Sequence, residues 1–322
     1  MKGANEYKSG LLSVAGAVLL VIWVGSNAYR QDLFTLAATY ALVGLGVYLP
    51  YVLGGSLALA YNAYASVGAY AVGLVSAKTG LPVALGWLAG PVVAAVIAVV
   101  LGVATRRLSG FYLAAVTLLF STAFGTWLIN TEWVGSSGGI GGIRPLSLFG
   151  WAPTRYQLVI LSAALVLVIA FVIDRLRMSP WGIVLRSARS VPLAVEAAGA
   201  RVPTLNLVVL AIGAGVASLG GSLFATTVHG ITPETFTLTI VFLSLFMPLI
   251  GGVGTPWGAV LGAVIVVELT LNFPAFSSSG TLILSLGVIV ILMIAPKGVL
   301  GYLDAARKRL VPSPTSRGGG AR

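Results

Sequence analysis

The sequence predicts an all-α integral membrane protein with about ten transmembrane helices, some short or broken, and both termini cytoplasmic. Three observations carry this. Apolar residues make up 58% of the 322 and charged residues only 8%, against roughly 45–50% and about 25% in soluble domains. The mean hydropathy is +1.01, and a span needs about 20 residues, so ten spans consume roughly 200 and leave short loops. Finally, the 19 Lys and Arg are spread unevenly around those spans. With 0 Cys, disulfides, thiolate metal sites and cysteine catalysis are excluded.

Apolar runs bounded by polar, Gly or Pro residues place the helices near 11–28, 33–53, 57–77, 82–104, 111–130, 156–174, 205–226, 238–252, 256–271 and 280–296. The first follows Lys2 and Lys8 and precedes Ser26-Asn27-Ala28, a makeup that also suits a cleaved signal peptide. An even helix count between two basic ends favours keeping it as a span. The eighth and ninth are the shortest and are candidates for one re-entrant pair. With the N-terminus inside, the ends, the 105–110 turn and the 175–204 loop take 15 of the 19 cations. Arg30, Lys78, Arg144 and Arg155 supply the other 4. The opposite orientation breaks the positive-inside rule. The net charge of +11 therefore marks a membrane side, not a nucleic-acid surface. Residues 1–310 form the membrane domain, and 311–322 a flexible basic C-terminal tail.

Two loops stand out. The outer one, about 131–155, contains Gly135-Ser136-Ser137-Gly138-Gly139-Ile140-Gly141-Gly142. Such glycine density makes a flexible linker or permits close backbone approach. The inner one, about 175–204, carries Arg175, Arg177, Arg186, Arg189 and Arg201. Within it Ser190 suits a helix cap, Pro192 a first turn and Gly199 a left-handed end. The two turns between them are too short to be stable alone in water and need a surface to lie on.

Little in the chain supports chemistry. Glu268 is the ionisable group set well within an apolar segment, and an interfacial acid is its plain alternative. His229, the single histidine, falls in an outer loop and suits a structural role. Paired carboxylates, a His cluster and an Asp-rich motif are all missing, so a membrane enzyme lacks its groups. Ion coupling within the chain is equally poorly supplied. The dipeptide Gly-Lys, required by a phosphate-binding P-loop, occurs nowhere. If ATP drives transport, another subunit hydrolyses it, and the 190–199 helix is placed to dock that subunit.

At this point three stretches resemble the LivM-type permease subunit of branched-chain amino-acid ABC transporters. The most specific is Ser179-Pro180-Trp181-Gly182, then Leu185-Arg186, then Ala194-Val195-Glu196-Ala197-Ala198-Gly199, similar to the family's coupling loop. Pro233-Glu234 and Gly251-Gly252-x-Gly254-Thr255-x-Trp257-Gly258 resemble its conserved loop and glycine turn. Gly110-Phe111-Tyr112-Leu113-Ala114 with Thr117-Leu118, and Ser137-Gly138-Gly139, resemble its fifth-helix entry and outer loop. The resemblance implies a transport subunit of the bacterial inner membrane that is not an enzyme and binds no cofactor. It implies a second, LivH-like permease, two cytoplasmic ATPases that bind ATP and Mg, an extracytoplasmic binding protein, and surrounding lipid. A self-contained ion-coupled carrier or facilitator is the alternative.

The chain departs from the family frame near 54–70. Ser56, Ala58 and Tyr61 stand where the family has Gln, Ser and His, and Thr122 replaces a common acid. Those changes leave the cargo open among branched-chain and other amino acids, amides, urea and small aromatic acids. A zwitterion in hydrocarbon needs fixed dipoles, which broken helices supply. Gly54, Gly55, Gly251, Gly252 and Gly254 are candidates for such breaks, close helix packing being the alternative use of glycine. Asn62, Ser66, Gly68, Thr117 and Ser121 are the remaining pathway candidates, with an interhelical hydrogen bond the alternative for Asn62. In the inner loop, Leu193, Val195 and Ala198 are expected to enter an ATPase groove, with Arg186, Arg189 and Glu196 at its rim and Gly199 ending the coupling helix. A basic loop resting on anionic lipid is the competing account.

Overall fold

The computed structural model describes residues 23–271, apart from 107, 109 and 148–151, with isolated positions 16, 21, 293 and 298. Most of the expected first helix, the tenth helix and the 311–322 tail lie outside the described residues. Helix α1 (Ala28–Tyr48) opens on Asn27, whose side chain accepts from the Arg30 amide, and runs into a π-helical turn at Leu49–Leu53. Pro50 lies in that turn and offers no amide hydrogen, which interrupts the helical ladder. An irregular stretch leads to α2 (Tyr61–Gly73), which ends in a second π-helical turn, Leu74–Lys78. Helices α3 (Val83–Ala104), α4 (Phe111–Asn130) and α5 (Arg155–Met178) follow. Two short helices come next, α6 (Pro180–Ser190) and α7 (Pro192–Ala197). Then come α8 (Val202–Val228), α9 (Leu238–Gly251) and α10 (Pro256–Leu271).

Among the described residues five helices are long and apolar enough to cross a bilayer. These are Ala28–Leu53, α3, α4, α5 and α8. The α9–α10 pair, bent by 118°, makes a sixth if it is one broken span. The expected eighth and ninth helices are therefore a bent pair. The expected third helix starts four residues late, because 57–60 is not helical.

Helix α8 is the hub and packs against α1, α2 and α3. Small residues permit this. A Cβ on Gly68 of α2 would run into the Ser218 carbonyl of α8, and one on Gly46 of α1 would lie 2.5 Å from the Gly213 carbonyl. Close approach of this kind is how helices associate where lipid removes the hydrophobic driving force. Helix α10 folds back on both α9 and α1, and α5 covers the other side of α1. Helix α3 turns Leu88, Val92, Val96 and Val100 outward, an aliphatic face suited to lipid chains.

Chemistry separates the two ends of the bundle. At one end the glycine-rich loop is ordered. Ile140–Gly141 (β1) pairs antiparallel with Gly230–Ile231 (β2). Gly139, at φ +68°, sits against the Ile231 carbonyl and Gly135 against that of Gly139, so close approach requires glycine at these two positions, whereas Gly138, Gly141 and Gly142 have open space. His229 belongs to this ladder: its Nδ1 lies 3.1 Å from the Ile143 carbonyl. Lys78 donates to the Trp133 carbonyl, and Arg155 pairs with Asp32 at 3.7 Å. The other end holds α6, α7 and both glycine breaks.

Candidate pathway and coupling site

The first break is built by three local features. Pro50 forces the π-helical turn, Gly54 donates its amide to the Leu49 carbonyl at 3.2 Å, and Gly55 adopts φ +68°. That positive φ is a conformation glycine reaches without cost. The chain then runs without regular secondary structure through Ser56–Ala60, with Ala58, Leu59 and Ala60 buried. Irregular backbone at membrane depth is tolerated only inside protein or beside an aqueous cavity, because lipid cannot hydrogen-bond it. Part of the need is met here. Ser56 donates its amide to Pro50 (2.9 Å) and Leu59 donates to the Thr117 hydroxyl (2.8 Å). Among the described residues the carbonyls of Ser56, Leu57, Ala58 and Leu59 accept no hydrogen bond.

Around this stretch the structure gathers four of the five polar or glycine candidates. Asn62, only 6% exposed, donates from Nδ2 to the Phe236 carbonyl at 3.2 Å and accepts the Ser121 hydroxyl at Oδ1. Thr117 sits one turn before Ser121 on α4 and receives Leu59 while donating to Leu113 and Ala114. Ser66 is buried on α2. Asn62 thus clasps α2, α4 and the Pro233–Phe236 turn, which is the interhelical use foreseen for it. The Pro233-Glu234 motif opens that turn, with Thr232 and Thr235 capping each other, and presents the Phe236 carbonyl. Gly68 lies apart, in the α2–α8 contact, with its carbonyl taken by the Ser222 hydroxyl at 3.2 Å. Thr122 faces out of the bundle and bonds to its own Leu118 carbonyl.

The second break separates α9 from α10. Gly251 ends α9 against Gly258 with no room for a side chain, and Gly252 takes φ +120°. Gly254 has open space around it. Its carbonyl accepts from Nη1 of Arg177 at 2.7 Å, and Arg177 also pairs with Asp174 at 3.1 Å. Both charged side chains are mostly buried, at 12% and 20% exposed. Neither residue was singled out from the sequence as a site.

The loop between α5 and α8 is mostly helix. Its Ser-Pro-x-Gly motif has a simple mechanical reading. Ser179 caps α6 by accepting the Gly182 amide at 3.2 Å, Pro180 fills the first turn, and Gly182 passes close to the carbonyls of Leu176 and Arg177. The expected cap at Ser190 is corrected here: Ser190 closes α6, and Val191 precedes α7. Pro192 explains the shift, since it excludes the preceding residue from helical geometry, and Val191 sits at φ −142°. Gly199 ends α7 at φ +91°, as expected.

These two helices present their side chains differently. Leu185 and Ala188 of α6 are buried. On and after α7, Leu193 is 78% exposed, Glu196, Ala198 and Gly199 are exposed, and Val195 is half-buried. Arg186 bonds to the Gly182 carbonyl of its own helix (3.3 Å). Arg189 departs from the expected rim position: it turns to the first break, donating from Nη1 to the Val52 carbonyl at 2.5 Å.

A helical bundle with interrupted membrane helices and an exposed apolar tip at one end has a form that suits a membrane transport subunit. The chain belongs to the family of branched-chain amino acid transport system permease components, whose model matches residues 29–295. It is 30% identical, over 92% of its length, to the high-affinity branched-chain amino acid transport system permease protein LivM of Escherichia coli, covering 76% of that protein. The Salmonella typhimurium LivM gives the same identity and coverage. A probable branched-chain amino acid transport permease protein LivM of Methanocaldococcus jannaschii is 29% identical over 52% of this chain and 50% of its own. No solved structure matches the chain significantly. The chain is thus an ABC-type permease subunit of a membrane, a transport component and not an enzyme.

Proposed function

We propose that the chain imports a branched-chain amino acid or a related small amphipathic solute across the bacterial inner membrane, powered by ATPases on separate subunits. It pairs with a second, LivH-like permease and two cytoplasmic ATPases that carry the ATP and Mg. An extracytoplasmic binding protein delivers the cargo. The fold has about ten spans with both termini cytoplasmic. The distribution of cations supports that orientation: Arg175, Arg177, Arg186, Arg189 and Arg201 share the end that holds α6 and α7, and Lys78, Arg144 and Arg155 the opposite end.

The single observation that carries the reading is α7. A two-turn helix at the basic end, with Leu193 almost wholly exposed, has no stable place in water unless something covers it. An ATPase groove covers it, with Val195 and Ala198 beside Leu193, Glu196 and Arg186 at the edge, and Gly199 closing the turn. Closure of the ATPases then shifts the bundle between outward and inward forms. In the pathway, the breaks at Gly54-Gly55 and Gly251–Gly254 offer backbone dipoles to the cargo. The free carbonyls of Ser56–Leu59 suit an ammonium group, and the start of α2 suits a carboxylate. Asn62, Ser66, Thr117 and Ser121 shape the wall, with Gly68 letting α2 approach α8.

The test is co-purification with the candidate ATPases, then ATP hydrolysis stimulated by the binding protein loaded with leucine, isoleucine, valine or other amino acids in turn. Stimulation by one class of cargo is the expected result. Accumulation of solute by the lone chain in vesicles, without ATPase subunits, contradicts the reading and points to a carrier.

A further inference from the structure

Helix α6 holds the first break by direct contact, and one residue makes that contact. Arg189 reaches from the last turn of α6, and its guanidinium donates to the Val52 carbonyl inside the π-helical turn. Its aliphatic stem lies across Gly55: a Cβ at position 55 would stand 2.6 Å from Cγ and 3.3 Å from Cβ of Arg189. Two independent constraints therefore require glycine at 55, its positive φ and the arginine stem above it. The π-helical turn supplies the carbonyl because its ladder is interrupted there, leaving an oxygen that a donor from outside the helix can reach. The second break has a matching contact, Arg177 to the Gly254 carbonyl, where the same loop leaves α5.

We propose that Arg189 is a positioning residue for coupling: it ties α6 to the Val52–Gly55 break, so that movement of the docking loop is delivered to the interrupted α1–α2 connection. This rests on the reading that the 175–204 loop engages the ATPases. The tie uses a backbone oxygen and a glycine, so it moves the break as a unit instead of bending a side chain. Because α6 is also anchored by buried Leu185 beside Leu49 and Leu53, the helix and the turn already share one apolar cluster. Arg189 adds direction to that contact by gripping the turn at its open end.

The test uses the assembled transporter in proteoliposomes and reads three quantities: ATPase association, ATP hydrolysis stimulated by the loaded binding protein, and cargo moved per ATP. For Arg189→Ala, association and stimulated hydrolysis stay within twofold of wild type, and cargo per ATP falls at least fivefold. Two further variants separate the donor from the stem. Arg189→Lys keeps a donor on a long stem and recovers at least half of the wild-type cargo per ATP. Arg189→Met keeps an aliphatic stem across Gly55 but has no donor for the Val52 carbonyl, and it behaves as Arg189→Ala. An arginine that served packing alone would be replaced as well by methionine as by lysine. Wild-type cargo per ATP in Arg189→Ala overturns the tie while leaving docking by α7 intact. Loss of ATPase association in that variant also overturns it, by placing Arg189 in the docking face. If the Arg189→Ala membrane subunit folds poorly, Arg189→Lys and Arg189→Met decide, and equal cargo per ATP in those two overturns the proposal.

Discussion

Helices α6 and α7 are neighbours in sequence, joined through Val191 alone, and both mix apolar residues with charge. They do opposite things. In α6 the residues at 182, 185 and 188 fall on one side and are buried against the bundle. In α7 no residue is buried. The difference teaches that the loop has a fixed half and an offered half. The fixed half is stabilised by this chain's own core, whereas the offered half leaves its apolar surface exposed, and the proposed docking would cover it.

The largest effect that sharpens this contrast is expected at Leu185, fully buried among Leu49, Leu53 and Tyr48. Leu185→Ala lowers stability by about 2–5 kcal/mol, as truncation of a packed leucine does, read as thermal unfolding of the purified subunit. Next comes Asn62→Ala, which strips the Phe236 carbonyl and the Ser121 hydroxyl of their partner. Leaving buried polar groups unpaired costs about 1–3 kcal/mol, and the same unfolding measurement detects it. Gly199→Val puts a β-branched residue at φ +91° with open space around it. The strain of roughly 1–2 kcal/mol falls on α7 alone, so transport weakens several-fold while the unfolding midpoint holds. Smallest is Leu193→Ala, which changes the stability of the isolated subunit by less than about 0.5 kcal/mol, the usual range for surface positions. Equal destabilisation by Leu185→Ala and Leu193→Ala would erase the distinction between the two halves.

The spanning helices were legible in the sequence because lipid imposes a length and a composition that few other environments demand. The two breaks were legible for a related reason: paired glycines inside apolar runs have few uses. The late start of α2 was not legible, since Leu57-Ala58-Leu59-Ala60 has the composition of a helix, and the Gly55 turn and the bond to Thr117 that keep it irregular are features of the folded chain. The limits of α6 were hidden by Ser190, a good cap by residue type that the packing of Leu185 and Ala188 draws into the preceding helix. Nor could the sequence aim Arg189. Its rim placement followed from its neighbours in α7, but the direction of a long side chain depends on where the Val52 carbonyl comes to rest. Arg177 escaped notice for the same reason, because its contact with Gly254 spans 77 residues, and Asp174 is its partner there.

The affinity of the ATPase subunits for the membrane subunit carrying Leu193→Asp tests the offered half most directly. Burial of a leucine contributes about 1.5–3 kcal/mol, so affinity falls at least tenfold while the unfolding midpoint of the membrane subunit stays at the wild-type value. Wild-type affinity in that variant would contradict docking through α7.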